Sequence, residues 1–403
     1  MPAAVVVGAG VGGLAVAGAL AQRDWNVTLL ERGDRLRADH AALLLWPSAL
    51  AALHRLGLGP GLAEISTPVT ARGIRRPDGQ WLVRQDDPAA GGEQPVVVHR
   101  EDLHDALVAG LSGRIEIRTG IAVRVVRTAT SQAPAVSDGA TTWEADLVVG
   151  ADGVDSVVRR RLAPEASVVS AGCTAWRAVI PWYRATDLVE KLDRLSTGGT
   201  GGETVGSGHR FRYALLGHRG SAGTSTRGGV YWTATVPGAA RPESPIAQLA
   251  LLRRWFADWH TPIGDLIAAT DPDELIQHPV TELWPVPRAF AFHAGRGGYA
   301  LLGDAAHAMA HHLSTGAGLA LEDAATLADA MRGVTAGPSL INALDGYSQA
   351  RRPAVARIVR QSRRVGAVLA STRGSARTRD AALGLTPGLV GRASSALRNL
   401  RRT

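Results

Sequence analysis

Cys173 is the only cysteine and Lys191 the only lysine in 403 residues. A single thiol excludes an internal disulfide and any zinc site built from several cysteines, and it suits a cytoplasmic protein. No run reaches the roughly 20 uncharged apolar residues that a bilayer-spanning helix needs, although hydrophobic residues make up 45% of the chain. No basic segment precedes the first apolar strand, so no secretory signal is expected. Internal repeats are absent, and the bias towards alanine and glycine stops short of low complexity.

What the chain has instead is arginine. The net charge is +8 and the isoelectric point about 10.5, which would draw polyanions. The arginines are spread along the sequence, however. Their one concentration, at Arg351, Arg352, Arg357, Arg360, Arg363 and Arg364, is spaced like the exposed side of a helix. No aromatic residues interleave with them for base stacking, so nucleic acid is not an expected partner. The length fits two domains, or one large domain with an insertion.

Three strand–glycine–helix junctions punctuate the chain. In the first, Ala3 to Val7 is an apolar run suited to a strand buried on both faces. It enters Gly8-Ala9-Gly10-Val11-Gly12-Gly13, then an alanine-rich helix from Leu14 to Arg23, then a strand from Asn26 to Leu30 that ends at Glu31-Arg32. This is a complete dinucleotide unit: Gly8 for the tight turn, Gly10 for pyrophosphate approach, Gly13 for close packing, and Glu31 for the ribose hydroxyls. Glu31 would repel a 2′-phosphate, so FAD or NAD is expected here. In the second junction the strand Asp146 to Gly150 leads through Asp152-Gly153 to a helix over Ser156 to Leu162. In the third, Tyr299 to Leu302 leads through Gly303-Asp304 and a histidine-rich loop to a helix opening at Gly316. Leu319, Leu321, Ala324 and Leu327 mark the apolar side of that helix, with Glu322 and Asp323 between them. Its N-terminus favours an anionic ligand.

Between the junctions the texture is strand-rich. Residues 69 to 98 read as strands with a hairpin at Pro77-Asp78-Gly79 and a loop at Gly91-Gly92. Arg100 to Leu111 reads as a helix, and Ile115 to Ile117 and Ile121 to Val126 as strands. Trp176 to Trp182, Gly208 to Leu216 and Gly229 to Val236 alternate with period two, separated by glycine turns near Gly198 and Gly217. Within the second of these, Arg210 and Arg212 face opposite to His209, Phe211, Tyr213 and Leu215. A helix over 247 to 258 lies beneath, and a last amphipathic helix runs from Asn342 to Ala370, with weaker order or a short packing helix expected beyond Ser371.

The three junctions, with an RXXL pattern at Arg100 to Leu103, TAWRAVIP at Thr174 to Pro181 and YSQARRP at Tyr347 to Pro353, make the chain resemble the single-component FAD-dependent monooxygenases with the p-hydroxybenzoate hydroxylase fold. The resemblance covers nearly the whole chain. It implies an α/β fold: a Rossmann-like FAD-binding domain with a parallel sheet (1–68, 99–168 and 285–345), interrupted by a mostly antiparallel substrate domain (69–98 and 169–284) and followed by a C-terminal helical segment (346–403). It implies that Gly8, Gly10, Gly13 and Glu31 hold the ADP half of FAD, with Val11, Arg32, Leu103 and Val123 as further cofactor contacts. Arg100, by its spacing either a surface charge or a ligand contact, would lie beside the flavin and pyrophosphate, Asp152-Gly153 would support FAD and the passing NAD(P)H, Gly303-Asp304 would bind the ribityl or pyrophosphate, and Gly316-Ala317-Gly318 would face the flavin pyrimidine ring. The implied chemistry is oxygen transfer from a flavin C4a-hydroperoxide to an electron-rich, hydrophobic aromatic, plausible in natural-product metabolism, by a monomer or homodimer without a membrane segment.

Where that family carries proline and then Gly-Gln-Gly, this chain has His311-His312 and Ser314-Thr315-Gly316. His311 is therefore a candidate base towards a phenol or a group steadying the peroxide, with solvent-facing or loop-bonding histidines as the alternative. Arg210, Tyr213, Trp232 and His312 are candidate substrate contacts, and no metal is expected. The altered loop keeps a non-oxygenating flavoprotein, a cyclase or dehydrogenase, in view, beside a non-catalytic nucleotide-binding module. A flavin halogenase is disfavoured, because Trp176-Arg177-Ala178 offers one tryptophan where WxWxIP needs two.

Overall fold

A computed structural model describes residues 1–59, 61–69, 72–85, 94–111, 113–129, 131–195, 201–216 and 228–370. The expected Gly91-Gly92 loop, most of both later glycine turns and the segment from Ser371 lie outside them. Among the described residues no helix is long and apolar enough to cross a membrane.

The apolar runs with no polar alternation assemble, as their two-sided hydrophobicity requires, at the centre of a six-stranded sheet. Its order is Ala291–Ala294, Gly297–Leu301, Leu147–Gly150, Ala3–Val7, Asn26–Leu30, Ile115–Arg118. All pairings are parallel except the hairpin at the Ala291–Ala294 edge. The strands of all three junctions are thus neighbours, and their glycine turns open at the same sheet end. The helix Val11–Ala21 is buried along its whole length. Its small residues let Gly316–Ala330 come close: a Cβ on Gly12 would stand 3.3 Å from that of Ala320. Of the strand expected over Ile121 to Val126, only Val125–Val126 forms. The N–H groups of Gly120 and Ile121 donate instead to the carbonyls of Gly33 and Glu31, so this stretch braces the turn after Asn26–Leu30.

The alternating strands form a second, seven-stranded sheet: Ile276–Trp284, Ser167–Pro181, Gly229–Pro237, His209–Leu215, Gly201–Gly206, Arg72–Arg75, Trp81–Gln85. It is antiparallel but for the Gly201–Gly206 to Arg72–Arg75 pair. One face packs on the helices Trp182–Leu195, Pro245–Trp255 and Ile263–Ala269 through Trp176, Phe211, Trp232 and Phe256. The other faces the parallel-sheet unit. The 69 to 98 stretch divides, because Val96–His99 pairs with Ala42–Leu45 and Ser66–Pro68 in a small third sheet.

Pro338–Ala370 is one helix, and here the expectation of a solvated arginine face fails for Arg351. That side chain is buried. Its Nε donates to Asp323 Oδ1 at 2.6 Å and its Nη1 to Glu322 Oε2 at 2.9 Å. Asp323 Oδ2 also accepts from the Gly303 N–H at 3.1 Å and meets His307 Nε2 at 2.5 Å. Glu322 and Asp323 interrupt the apolar pattern because the long helix supplies their counter-charge inside the core. Arg357, Arg360 and Arg364 are exposed, in line with their spacing, while Arg363 pairs with Glu282 at 2.6 Å.

Burial works against the Asp323 carboxylate, but the Arg351 guanidinium and the contact from His307 outweigh it and hold its pKa near 2. A depressed carboxylate pKa stabilises the fold above the unfolded value and loses that contribution as pH falls towards 2; the shift corresponds to about 2 kcal/mol. Arg351→Met should cost about 3–5 kcal/mol at neutral pH, since it strands two buried carboxylates. The deficit should shrink between pH 7 and 5 as the uncompensated acids take up protons. Denaturant titrations at both pH values check this; an equal deficit at both would refute it.

Candidate active site

A cavity of about 750 Å³ begins at the first glycine loop and ends against the antiparallel sheet. Gly10, Val11, Gly12 and Gly13 line one end, with Ala151 and Gly153 from the second junction and Gly303, Asp304, Gly316 and Ala317 from the third. The glycines there fall into two kinds. Gly8, at φ +101°, and Gly13 are required by packing: a Cβ would lie 2.4 Å from the Ala151 oxygen in the first case and 1.9 Å from the Gly8 oxygen in the second. A Cβ added at Gly10, Gly153 or Gly316 would meet no atom within 4 Å. Their backbones border open space, which is what a ligand lying along the main chain needs. Asp304 is exposed to this groove, and the N-terminus of Gly316–Ala330 has no side-chain cap on its N–H groups. A long, partly anionic cofactor such as FAD fits this cradle.

Several expected contacts do other work. Glu31 accepts from the Ala9 and Gly33 N–H groups, both at 2.8 Å, so it shapes the loop around the first glycines. Asp152 caps the helix Val157–Leu162, accepting from Val157 N at 2.7 Å and Val158 N at 3.2 Å and from Ser156 Oγ. Of that pair only Gly153 borders the cavity. Leu103 and Val123 are core residues of the parallel-sheet unit, and Arg32 is exposed outside the cavity lining. Arg100 does line the cavity, and its guanidinium shares Asp39 with Arg177 at 3.3 and 3.2 Å. Gly318 is buried against Ala49. Trp232 is removed from the candidate substrate contacts: it stacks on Phe211 at 5.3 Å on the helix-covered face, and its indole N–H donates to Thr270 Oγ1 at 2.8 Å.

At the far end, Arg210, His311 and His312 do come together, whereas Tyr213 pairs with Trp232 and packs with Phe211 against the helix-covered cluster, so its ring is removed from the candidate substrate contacts. Arg210 Nε donates to Glu203 Oε1 at 2.6 Å and Arg212 Nε to Glu203 Oε2 at 3.1 Å. Both guanidinium groups also hold the His312 carbonyl, at 3.0 and 2.7 Å, and Arg212 reaches the His311 carbonyl and Ser314 Oγ. Ser314 takes a left-handed conformation, φ +51°. The substrate-side sheet thereby grips the loop that leads into Gly316. His311 Nε2 meets Thr235 Oγ1 at 2.8 Å. Burial, then the two arginines, push the His311 imidazole well below its usual range and His312 down to about 3. Burial and Arg177 take His278, on the same wall, to about 4. These imidazoles are neutral at pH 7, so His311 is a hydrogen-bonding group there and a weak proton acceptor.

Glu203, Arg212, Arg177 and His278 do not stand out as site residues in the sequence. The strand register pairs Glu203 with Arg212 and Val205 with Arg210. Only that register brings the acid to the arginines; the alternation of Arg210 and Arg212 is the one visible signal.

The family model described as "FAD binding domain" matches residues 2–190 and 259–362. The phenazine 1,6-dicarboxylic acid hydroxylase PhzS of Lysobacter antibioticus is 30% identical over 385 residues, covering 89% of this chain and 88% of that protein. The 3-amino-4-hydroxybenzoate 2-monooxygenase of Streptomyces cremeus is 31% identical over 370 residues, covering 89% and 86%. Among solved structures, Klebsiella pneumoniae HpxO complexed with FAD and uric acid shares the fold, with a TM-score of 0.76, 24% identity, and coverage of 97% of this chain and 93% of that one.

Two outcomes test the site. Gly10→Val should leave the melting temperature nearly unchanged yet weaken FAD binding by about 100-fold, whereas Gly13→Ala should fail to give a native fold; calorimetry and flavin fluorescence read both. The neutral histidines generate the second. A folded-state imidazole pKa below 6.5 means that the unfolded chain binds more protons below that pH, so stability should fall as pH drops from about 6.5 towards 4. Replacing His278 and His312 by Gln should flatten that slope in denaturant titrations.

Proposed function

The chain belongs to the FAD binding domain family of flavin-dependent monooxygenases, and we propose from that premise that it hydroxylates an aromatic small molecule with electrons from NAD(P)H and oxygen from the air. One observation carries this reading: the cofactor cradle and the antiparallel sheet open into a single cavity, so a ring on the sheet side faces whatever lies along the glycines. Bound FAD would supply the redox and oxygen chemistry.

The protein's own residues supply placement. The uncapped Gly316 N-terminus favours negative charge at the flavin end of the cradle. Leu43, Leu44, Val97 and Met309 line the cavity with apolar surface that excludes water. His311, neutral and held by Thr235, orients a hydroxyl or an oxygen atom through a hydrogen bond; transferring a proton from a phenol to it is disfavoured by its lowered pKa. The phenolic proton then leaves to solvent or to another acceptor in the cavity.

The test is consumption of NADH and NADPH by the FAD-loaded protein with a panel of hydroxybenzoates, quinolones and phenazines. An aromatic that raises the rate and returns carrying an atom of isotopically heavy oxygen gas establishes the reaction. Nicotinamide oxidation with no labelled product from any aromatic favours the non-oxygenating flavoprotein. With a competent substrate, His311→Leu should lower kcat by about tenfold without shifting any limb of the pH–rate profile near 6.5, since the imidazole does not titrate there.

A further inference from the structure

The helix Pro338–Ala370 outruns the core on which it packs. Val355, Ala356 and Val359 belong to the core of the parallel-sheet unit. One turn later Ser362 Oγ donates to the Ala310 carbonyl at 2.9 Å, and the Gly366 backbone lies on the histidine loop, where a Cβ would stand 2.5 Å from His312 Nε2. The apolar side of the helix nevertheless continues. Val365, Val368 and Leu369 recur at helical spacing, while Arg360, Arg364 and Ala367 are exposed.

Val368 and Leu369 pack with Ile74 and Val205 of the antiparallel sheet. With Val365 and Ile74 they line the outer end of the same cavity that begins at the glycine loops. The three helix side chains are only half-buried, so this end keeps apolar surface that the protein does not cover. Its polar neighbours offer a hydrated group little: Glu203 is taken by Arg210 and Arg212, and His312 is neutral.

We propose that this end receives an apolar chain: the aromatic substrate carries an alkyl or similarly water-averse substituent that lies between Ile74 and the last turn of the helix. This rests on the reading of the cavity as a hydroxylase substrate site. Burial of the chain stabilises the complex in proportion to the apolar area covered, whereas a polar chain would shed water there without a partner. Because Gly366 and Ser362 seat the helix on the histidine loop, the chain also fixes how far its ring stands from that loop.

The probes are para-methyl-, para-propyl-, para-pentyl- and para-heptylphenol, titrated into FAD-loaded protein with the flavin absorbance as readout. Affinity should rise by about fourfold for each added methylene. A phenol carrying an oligoether chain of the heptyl's length should bind at least about tenfold more weakly than the heptyl compound. Val365→Asp and Leu369→Asp should each cut the gradient to less than about twofold per methylene. Ile246→Asp, at an exposed apolar side chain outside the cavity lining, should keep it. If an aspartate variant fails to fold, Leu369→Ser reads the same flattening. A flat series, binding of none of the phenols, equal binding of the oligoether, or a gradient that survives the helix variants overturns the proposal. If the wild-type chain takes up no FAD, the flavoenzyme reading fails separately, and calorimetry with the same series still decides the apolar subsite.

Discussion

The Arg351–Asp323 ion pair is the contact on which the site depends. One carboxylate, with no access to water, joins the helix Pro338–Ala370 to Gly316–Ala330 and, through the Gly303 N–H and His307, to the end of the strand Gly297–Leu301. The two backbone segments that line the cradle at the third junction, Gly303-Asp304 and Gly316-Ala317, are thereby set relative to one another by charge as well as by packing. Low dielectric makes such a group stiff when satisfied and disruptive when not.

A second electrostatic knot sits at the opposite end of the cavity. Glu203 organises two arginines, and these arginines hold the carbonyls of His311 and His312. The histidine loop is thus clasped by Arg351's neighbourhood on one side and by the antiparallel sheet on the other. The two sheets are coupled through that loop, where cofactor and substrate sides of the cavity meet. Burial beside two guanidinium groups strips His311 of basicity, which turns a residue type suited to proton transfer into a neutral hydrogen-bonding one.

The parts of this arrangement set by local pattern were legible in the sequence. Continuous apolar runs before Gly8, Asp152 and Gly303 marked the central strands, and period-two alternation marked His209–Leu215 and its neighbours. The parts set by register and long-range pairing were not. Arg351 reads as one of a row of surface arginines until the two acids 28 and 29 residues earlier are seen inside the core. Trp232 and Arg210 both belong to strands bordering the pocket, but only the sheet's packing shows that one points to the helices and the other to the cavity. Asp152 and Glu31 sit where ligand contacts are expected, and the motifs do not reveal that Asp152 also caps a helix or that Glu31 also accepts from two loop N–H groups.

Titration of FAD into the apoprotein, followed by flavin fluorescence and calorimetry, tests most directly whether the three glycine junctions make one cofactor cradle. Saturable binding of a single FAD per chain, abolished by filling the open space at Gly10 while the fold persists, is the expected result. A folded chain that binds no FAD, or binds it equally well with Gly10 replaced by valine, would contradict the cradle and the reading built on it.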